Sequence, residues 1–205
     1  MITSQSITSS GADILRSIAK TRQSFLVHAL PQGAGKTTLV QAILAEVPDS
    51  VPRDEFFGTE EERQTLAAAE EPGYLLVAEI GHHGRPGYLA GPDVPRIFDL
   101  LTRGYSLASS LHADTVDQVF EVLAANGVPA AVAATVPYLI TVRMIRNQAG
   151  TRVRRVVDEI HNLTTDGSGE PSAARLYRWD GQPEDAPNAW VEEPEHDHQG
   201  PRHHR

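Results

Sequence analysis

"SFLVHALPQGAGKTTLVQAIL", Ser24 to Leu44, is the stretch that decides the fold. Its first third, Ser24 to Leu30, is a compact apolar run of the kind that forms a strand buried on both faces. Its last third sets Leu39, Val40, Ile43 and Leu44 at helical spacing and stops before Pro48. In this strand–loop–helix context, Gly33, Ala34, Gly35, Lys36, Thr37 and Thr38 predict a phosphate-binding loop. Successive backbone N–H groups curl around a phosphate at the helix N-terminus. The lysine neutralises charge, and the next hydroxyl coordinates Mg2+. Of the 18 basic residues only Lys20 and Lys36 are lysines, so a merely solvated cation at this position would more often be arginine. One position departs from the pattern: the residue that opens the loop, ordinarily glycine, is Leu30.

Working outward, "SSGADILRSIAK" before the loop predicts a short helix capped by Ser10, with Ile14, Leu15 and Ile18 on one face. Residues 49–73 are acidic and mixed. "GYLLVAEI" (Gly73 to Ile80) predicts a second buried strand that ends at Glu79. "GHHGRPGYLAGPDVPR" (Gly81 to Arg96) is a Gly/Pro-rich loop, "IFDLLTRG" a helix stopped by Gly104, and "YSLASSLH" a third strand ending at His112. Asp114 is the expected cap of an amphipathic helix carrying Val116, Val119, Phe120 and Leu123, which stops at Asn126-Gly127. "PAAVAATV" is a short helix. "YLITVRMIRNQAGTRVRRVVDEIHNL" is two strands joined at "NQAG". "TTDGSGEPSA" is a linker and "RLYRWDG…NAWVEE" a last hairpin. Alternating strands and helices imply an α/β layered domain with a largely parallel sheet. The expected organisation is a disordered leader (1–10), an α/β domain (11–163), a linker with closing hairpin (164–193) and a disordered tail (194–205).

The bulk composition excludes several classes of function. With 205 residues, 40% hydrophobic and 22% charged, the chain suits one globular, soluble domain with tails. A net charge of −9 gives no strong nucleic-acid signal. "RVRRVV" (Arg152 to Val157) is the one basic strip, best explained as a strand with an exposed arginine face. Without cysteine there is no disulfide, thiolate or zinc–sulfur chemistry. No apolar run reaches the roughly 20 residues that span a bilayer, and Met1 to Ser10 lacks signal-peptide character, so a cytoplasmic chain is expected.

Two carboxyl-end residues complete the candidate site. A carboxylate just past a core strand, beside a phosphate loop, faces Mg2+ and the attacking water in nucleotide-hydrolysing domains, which is the expectation for Glu79. His112 would share the same rim and sense a γ-phosphate. His82 and His83 are expected to be solvated in their loop. His196, His198, His203 and His204 read as a polar tail rather than a metal site.

In these residues the chain resembles the secretion-superfamily ATPases, the hexameric motors of type II and type IV secretion, type IV pili and archaeal-type flagella. "ILRSIAKTRQSFLVHALPQGAGKTTLVQAIL" looks like that family's helix, strand and Walker A segment, and "PGYLLVAEI" like its Walker B. "LLTRGYSLASSLHADTVDQVFEVL" looks like its histidine box, "VRMIRNQAGTRVRRVVDEI" like the following strand pair, and "RLYRWDG" like the closing hairpin of archaeal-type members. The resemblance runs from about Asp13 to Glu193. It implies a RecA-like P-loop domain that binds and hydrolyses Mg-ATP within a homo-oligomer, a hexameric ring. That ring would stand at the cytoplasmic face of a secretion or pilus membrane complex. Carried over by position, Gly33, Ala34, Gly35, Lys36, Thr37 and Thr38 would hold ATP, with Thr37 on Mg2+. Glu79 would orient or activate water and approach Mg2+ through one, and His112 would be the histidine-box residue. "GTEEE" sits where the family has its aspartate box, with Glu60 or Glu61 as the ligand.

The chain also departs from the family. No counterpart is expected in it of the N-terminal domain that closes over the nucleotide and supplies interface arginines. Leu30 replaces the first Walker A glycine, and Ala78 the Walker B glycine. Gly81 replaces the arginine expected after the glutamate, and Tyr105 the first box histidine; "TLAAAEEPG" lacks the family's arginine. A partner chain in trans, or Arg103, Arg143 or Arg146 in cis, would have to supply the missing charge. Losing such an arginine costs roughly 10³ or more in rate. A non-hydrolysing ATP-binding scaffold is therefore a second expectation. A small P-loop kinase with a lid around Arg85 and Arg96 is a third.

Overall fold

The computed structural model describes residues 6–81, 88–147, 149–150, 152–167, 169–181 and 191–192. Helix α1 (Ser9–Lys20) leads to β1 (Phe25–His28), the loop, and α2 (Lys36–Leu44). Then come β2 (Arg53–Glu55), α3 (Glu60–Ala67) and β3 (Tyr74–Leu76). A 3-10 turn (Gly91–Asp93) leads into α4 (Val94–Leu101), followed by β4 (Ser106–Leu111), α5 (Val116–Ala125) and α6 (Ala130–Ala133). The chain closes with β5 (Tyr138–Arg146), β6 (Arg152–Thr165), β7 (Pro171–Arg178) and β8 (Val191–Glu192).

The strands form a single sheet in the order β2-β3-β4-β1-β5-β6-β7, with β8 also paired to β6. β2, β3, β4, β1 and β5 are mutually parallel; β6, β7 and β8 are antiparallel additions. Alternation along β1 feeds two cores. Phe25 and Val27 pack with α1 and α2 on one face, and Leu26 packs with α4 and α5 on the other. The result is a RecA-like α/β layering in which β1, between β4 and β5, delivers its loop to the middle of the sheet's carboxyl edge. Ligands bind at that edge in such sheets. Phe25 meets Tyr74 edge-on at 6.1 Å between ring centroids, tying β1 to β3 across β4.

Several expectations are corrected. The cap of α1 is Thr8, whose Oγ1 accepts from the Gly11 N–H, not Ser10. Ser6 to Ser10, expected to end a frayed leader, are ordered: Ile7 is buried, the Ser6 carbonyl accepts from Val157 N–H at 2.8 Å, and the exposed Ser9 and Ser10 open α1. The cap of α5 is Thr115 rather than Asp114, whose N–H is bonded by the Gln118 side chain. α4 starts at Val94, because Pro95 is tolerated in a first helical turn. The segment around 49–73 holds β2 and α3. α3 opens on a capping box in which Thr59 Oγ1 accepts from Glu62 N–H while Glu62 accepts from Thr59 N–H.

At the C-terminal end, "TTDGSGEPSA" is not a linker. β6 and β7 run through it as an antiparallel pair, from Glu159↔Arg178 to Thr165↔Pro171, around a turn with Gly169 at φ 84°. The C-terminal antiparallel hairpin is thus formed by β6 and β7, and of "NAWVEE" the described residues Val191 and Glu192 pair with β6. Nor is "RVRRVV" an exposed arginine face. Arg154 is buried with its guanidinium 5.0 Å from the Trp179 ring, and Arg155 turns toward the glycine loop. The tail histidines lie outside the described residues.

Gly73 locks the β2–β3 edge. A Cβ there would overlap the Pro52 carbonyl, which accepts from Tyr74 N–H at 2.8 Å. Gly73→Ala is expected to cost about 1–3 kcal/mol by forcing that backbone apart, read as a lower urea midpoint. An unchanged midpoint would contradict this close approach.

Candidate functional site

The loop conformation follows from its glycines. Gly33 and Gly35 sit at φ 71° and 97°, the left-handed region that side chains disfavour. Leu30 does not: Arg22 is the one non-glycine with positive φ among the described residues. The glycine expected at position 30 is therefore not required by this backbone, and the Leu30 side chain points to solvent at 56% exposure.

α2 begins at Lys36 with no side-chain cap and no acidic residue in its first turn. Its first N–H groups thus have no acceptor supplied by a capping side chain, which leaves them directed into the pocket. That pocket, about 800 Å³, is lined by Gly33 to Thr38 together with Glu79, His112, Tyr88 and Arg155, among others. The loop residues Gly33, Ala34, Gly35, Lys36, Thr37 and Thr38 are brought together with Glu79 and His112, as expected.

Lys36 is buried, and its Nζ lies 3.3 Å from Glu79 Oε1 and 3.4 Å from His112 Nδ1. His112 Nδ1 is 3.0 Å from the Leu30 carbonyl, which can only accept, so that nitrogen carries a proton. Nε2 faces Glu79 Oε1 at 3.0 Å and the Tyr88 hydroxyl at 3.4 Å. A neutral ring accepts from Tyr88; an imidazolium donates to Glu79. Glu79 Oε1 makes no hydrogen bond of good geometry although Lys36 Nζ and His112 Nε2 lie within 3.3 Å of it, so its lone pairs remain open. A lysine, a carboxylate and a histidine thus form one triangle at the loop's mouth.

Tyr88 is a site residue that motif reading missed. Its ring lies parallel to His112 (6.2 Å, 7°), and a Cβ on Gly81 would press on it at 2.7 Å. It is the one aromatic in "GHHGRPGYLAGPD", and that is its only signal in the sequence. His28 was missed too. Completely buried at the end of β1, its Nδ1–H donates to the Ala113 carbonyl (3.1 Å), and Nε2 accepts from the Thr141 hydroxyl (3.0 Å). Burial pushes its pKa from 6.5 down to about 4, keeping a neutral strut between β1, the end of β4 and β5.

Other expectations are not met. Glu60 and Glu61 do not line the pocket. Glu60 is bonded to Arg63 (2.9 Å), which holds its carboxyl down at about 2, and it pairs with Arg96 at 3.4 Å. From that segment Glu55 instead shares a neighbouring cavity with Thr37. Arg103, Arg143 and Arg146 do not line the pocket, and Arg143 is bonded to Asp158 at 2.7 Å. Of the kinase-type lid, Arg96 is engaged by Asp93 and Glu60. Arg85, His82 and His83 lie outside the described residues.

No protein-family model matches the chain. No curated protein matches it either. Among solved structures it is similar to the crystal structure of the VirB11 ATPase from the Brucella suis type IV secretion system in complex with sulphate, at 16% sequence identity and TM-score 0.57. The match covers 74% of this chain and 52% of that one, so the chain spans about half the length of that ATPase. At such identity the likeness shows the fold: a RecA-like α/β domain with an antiparallel C-terminal extension. Among the described residues no helix is long and apolar enough to cross a membrane, and no group of three or more His, Asp or Glu is placed to hold a metal by itself.

Proposed function

We propose that this pocket binds ATP with Mg2+ and that the chain is an ATP-hydrolysing motor domain of the secretion-ATPase kind. One observation carries the proposal. The uncapped N-terminus of α2, with two left-handed glycines before it, opens onto a pocket where a buried lysine already meets a carboxylate and a histidine. The phosphates of a nucleotide would satisfy the free N–H groups of α2 and compete with Glu79 for the Lys36 ammonium.

The donor set fits the metal as well. The exposed Thr37 hydroxyl and, through water, the open Glu79 Oε1 would hold Mg2+, which supplies charge neutralisation between the terminal phosphates. Released from Lys36, Glu79 can accept a proton from a water positioned at the pocket's rim. When protonated, His112, held by the Leu30 carbonyl, can direct its Nε2–H to Glu79 or to a γ-phosphate oxygen. Assembly into a homo-oligomeric ring, at the cytoplasmic face of a secretion or pilus complex, is proposed from the sequence resemblance and the VirB11-like fold.

Glu79→Gln tests the hydrolytic role. Turnover is expected to fall by about 10²–10⁴-fold while ATP affinity changes less than about tenfold. Equal turnover in parent and variant would remove Glu79 from the chemistry. A second reading, ATP binding without hydrolysis, is favoured by one observation. Among the described residues no arginine lines the Glu79–His112 end of the pocket. A parent chain that binds Mg-ATP yet shows no turnover above background would establish it.

A further inference from the structure

The pocket has two chemically different ends. Lys36 Nζ lies beside Glu79 and His112, which follow β3 and β4. The lysine of a phosphate loop reaches the β- and γ-phosphates, so the terminal phosphate belongs at this end. On the opposite side of β1 stand β5 and β6. From them Val142, Val156 and Val157 give the pocket an apolar wall, and Arg155 its one arginine among the described residues. A nucleotide that enters with its γ-phosphate at Glu79 therefore directs its α- and β-phosphates past Arg155 and its sugar and base toward the valines.

Arg155 is prepared for that position. Its Nε–H donates to the Gly33 carbonyl at 2.6 Å, which pins the planar guanidinium to the outside of the loop. No acceptor among the described residues engages its Nη1 and Nη2 groups, and the residue is half-buried. Gly35 makes room for the stem: a Cβ there would stand 3.2 Å from Arg155 Cδ. A fork held at one edge and open at the other loses little freedom on gripping a phosphate.

We propose that Arg155 is a phosphate anchor acting within its own chain, contacting the α- and β-phosphates of the bound nucleotide rather than the γ-phosphate. This rests on the nucleotide-binding function proposed above. Arg155 is thereby distinct from a transition-state arginine. It supplies ground-state affinity and leaves the Glu79–His112 end without an arginine from this chain among the described residues.

The test is equilibrium binding of ATP and of ADP to the full chain and to Arg155→Gln, Arg155→Lys and Lys36→Ala. Arg155→Gln is expected to weaken ATP and ADP alike, each by about 10- to 100-fold, with an unchanged melting temperature. Arg155→Lys, which keeps the charge, is expected to recover most of that loss. A loss confined to ATP would place Arg155 on the γ-phosphate and overturn the proposal. So would no loss, or Lys and Gln variants equally weak, either of which leaves Arg155 a mere tie for the loop. Unchanged nucleotide affinity in Lys36→Ala, or a parent chain that binds none, strikes the underlying site assignment instead.

Discussion

Lys36→Ala is expected to lower ATP affinity by about 100-fold or more, since the ammonium makes charge-assisted contacts worth about 1.5–3 kcal/mol each. The same substitution is expected to weaken the unliganded fold. The Lys36 side chain is 8% exposed and its partner Glu79 15%, with 3.3 Å between Nζ and Oε1. Removing one member of such a pair leaves a nearly buried carboxylate uncompensated, at a typical cost of about 3–5 kcal/mol. His112 still stands 3.0 Å from the same oxygen, so about 2 kcal/mol is the expectation here. Lys36→Ala combined with Glu79→Gln should restore most of the stability and none of the binding. Urea midpoints and nucleotide titrations on the three variants separate the effects; a Lys36→Ala chain with parental affinity would contradict the site.

The second large effect is acid destabilisation through His28. Its folded pKa, about 4, lies below the ordinary 6.5 because burial penalises the charged ring. Between those values the unfolded chain takes up a proton that the folded chain refuses, so stability falls as pH falls from about 6.5 toward 4. The full contribution, about 3 kcal/mol, is kept above pH 6.5 and gone below 4; about 2 kcal/mol should be lost between pH 7.5 and 5. His161, also buried and shifted downward, adds in the same direction. In His28→Gln, which keeps a donor for the Ala113 carbonyl, the pH-dependent part should shrink by about 2 kcal/mol, whatever the change at neutral pH. An equal acid slope in both chains would show that His28 is not the group responsible.

The fold was largely legible because its decisive signals are local. β1, the glycine loop and α2 are contiguous, and Asn126-Gly127 ends α5 with Gly127 at φ 82°. What escaped reading lacks a buried face. α3 has no buried residue, and along β7 only Tyr177 is buried, so neither shows amphipathic period. Only the Thr59…Glu62 spacing betrayed α3. The site residues Glu79 and His112 were placed because each follows a core strand that shares the loop's edge. Tyr88, His28 and Arg155 were not, since each acts through contacts far along the chain: 24 residues to His112, 85 to Ala113 and 122 to Gly33. Leu30 departs from the loop pattern, yet its backbone stays out of the left-handed region and its carbonyl holds His112.

Calorimetric titration of Mg-ATP into the full chain tests the central claim most directly. The site described above predicts saturable binding at one nucleotide per chain, displaced by ADP and lost in Lys36→Ala. The absence of saturable heat at millimolar nucleotide, or binding that survives Lys36→Ala undiminished, would contradict it.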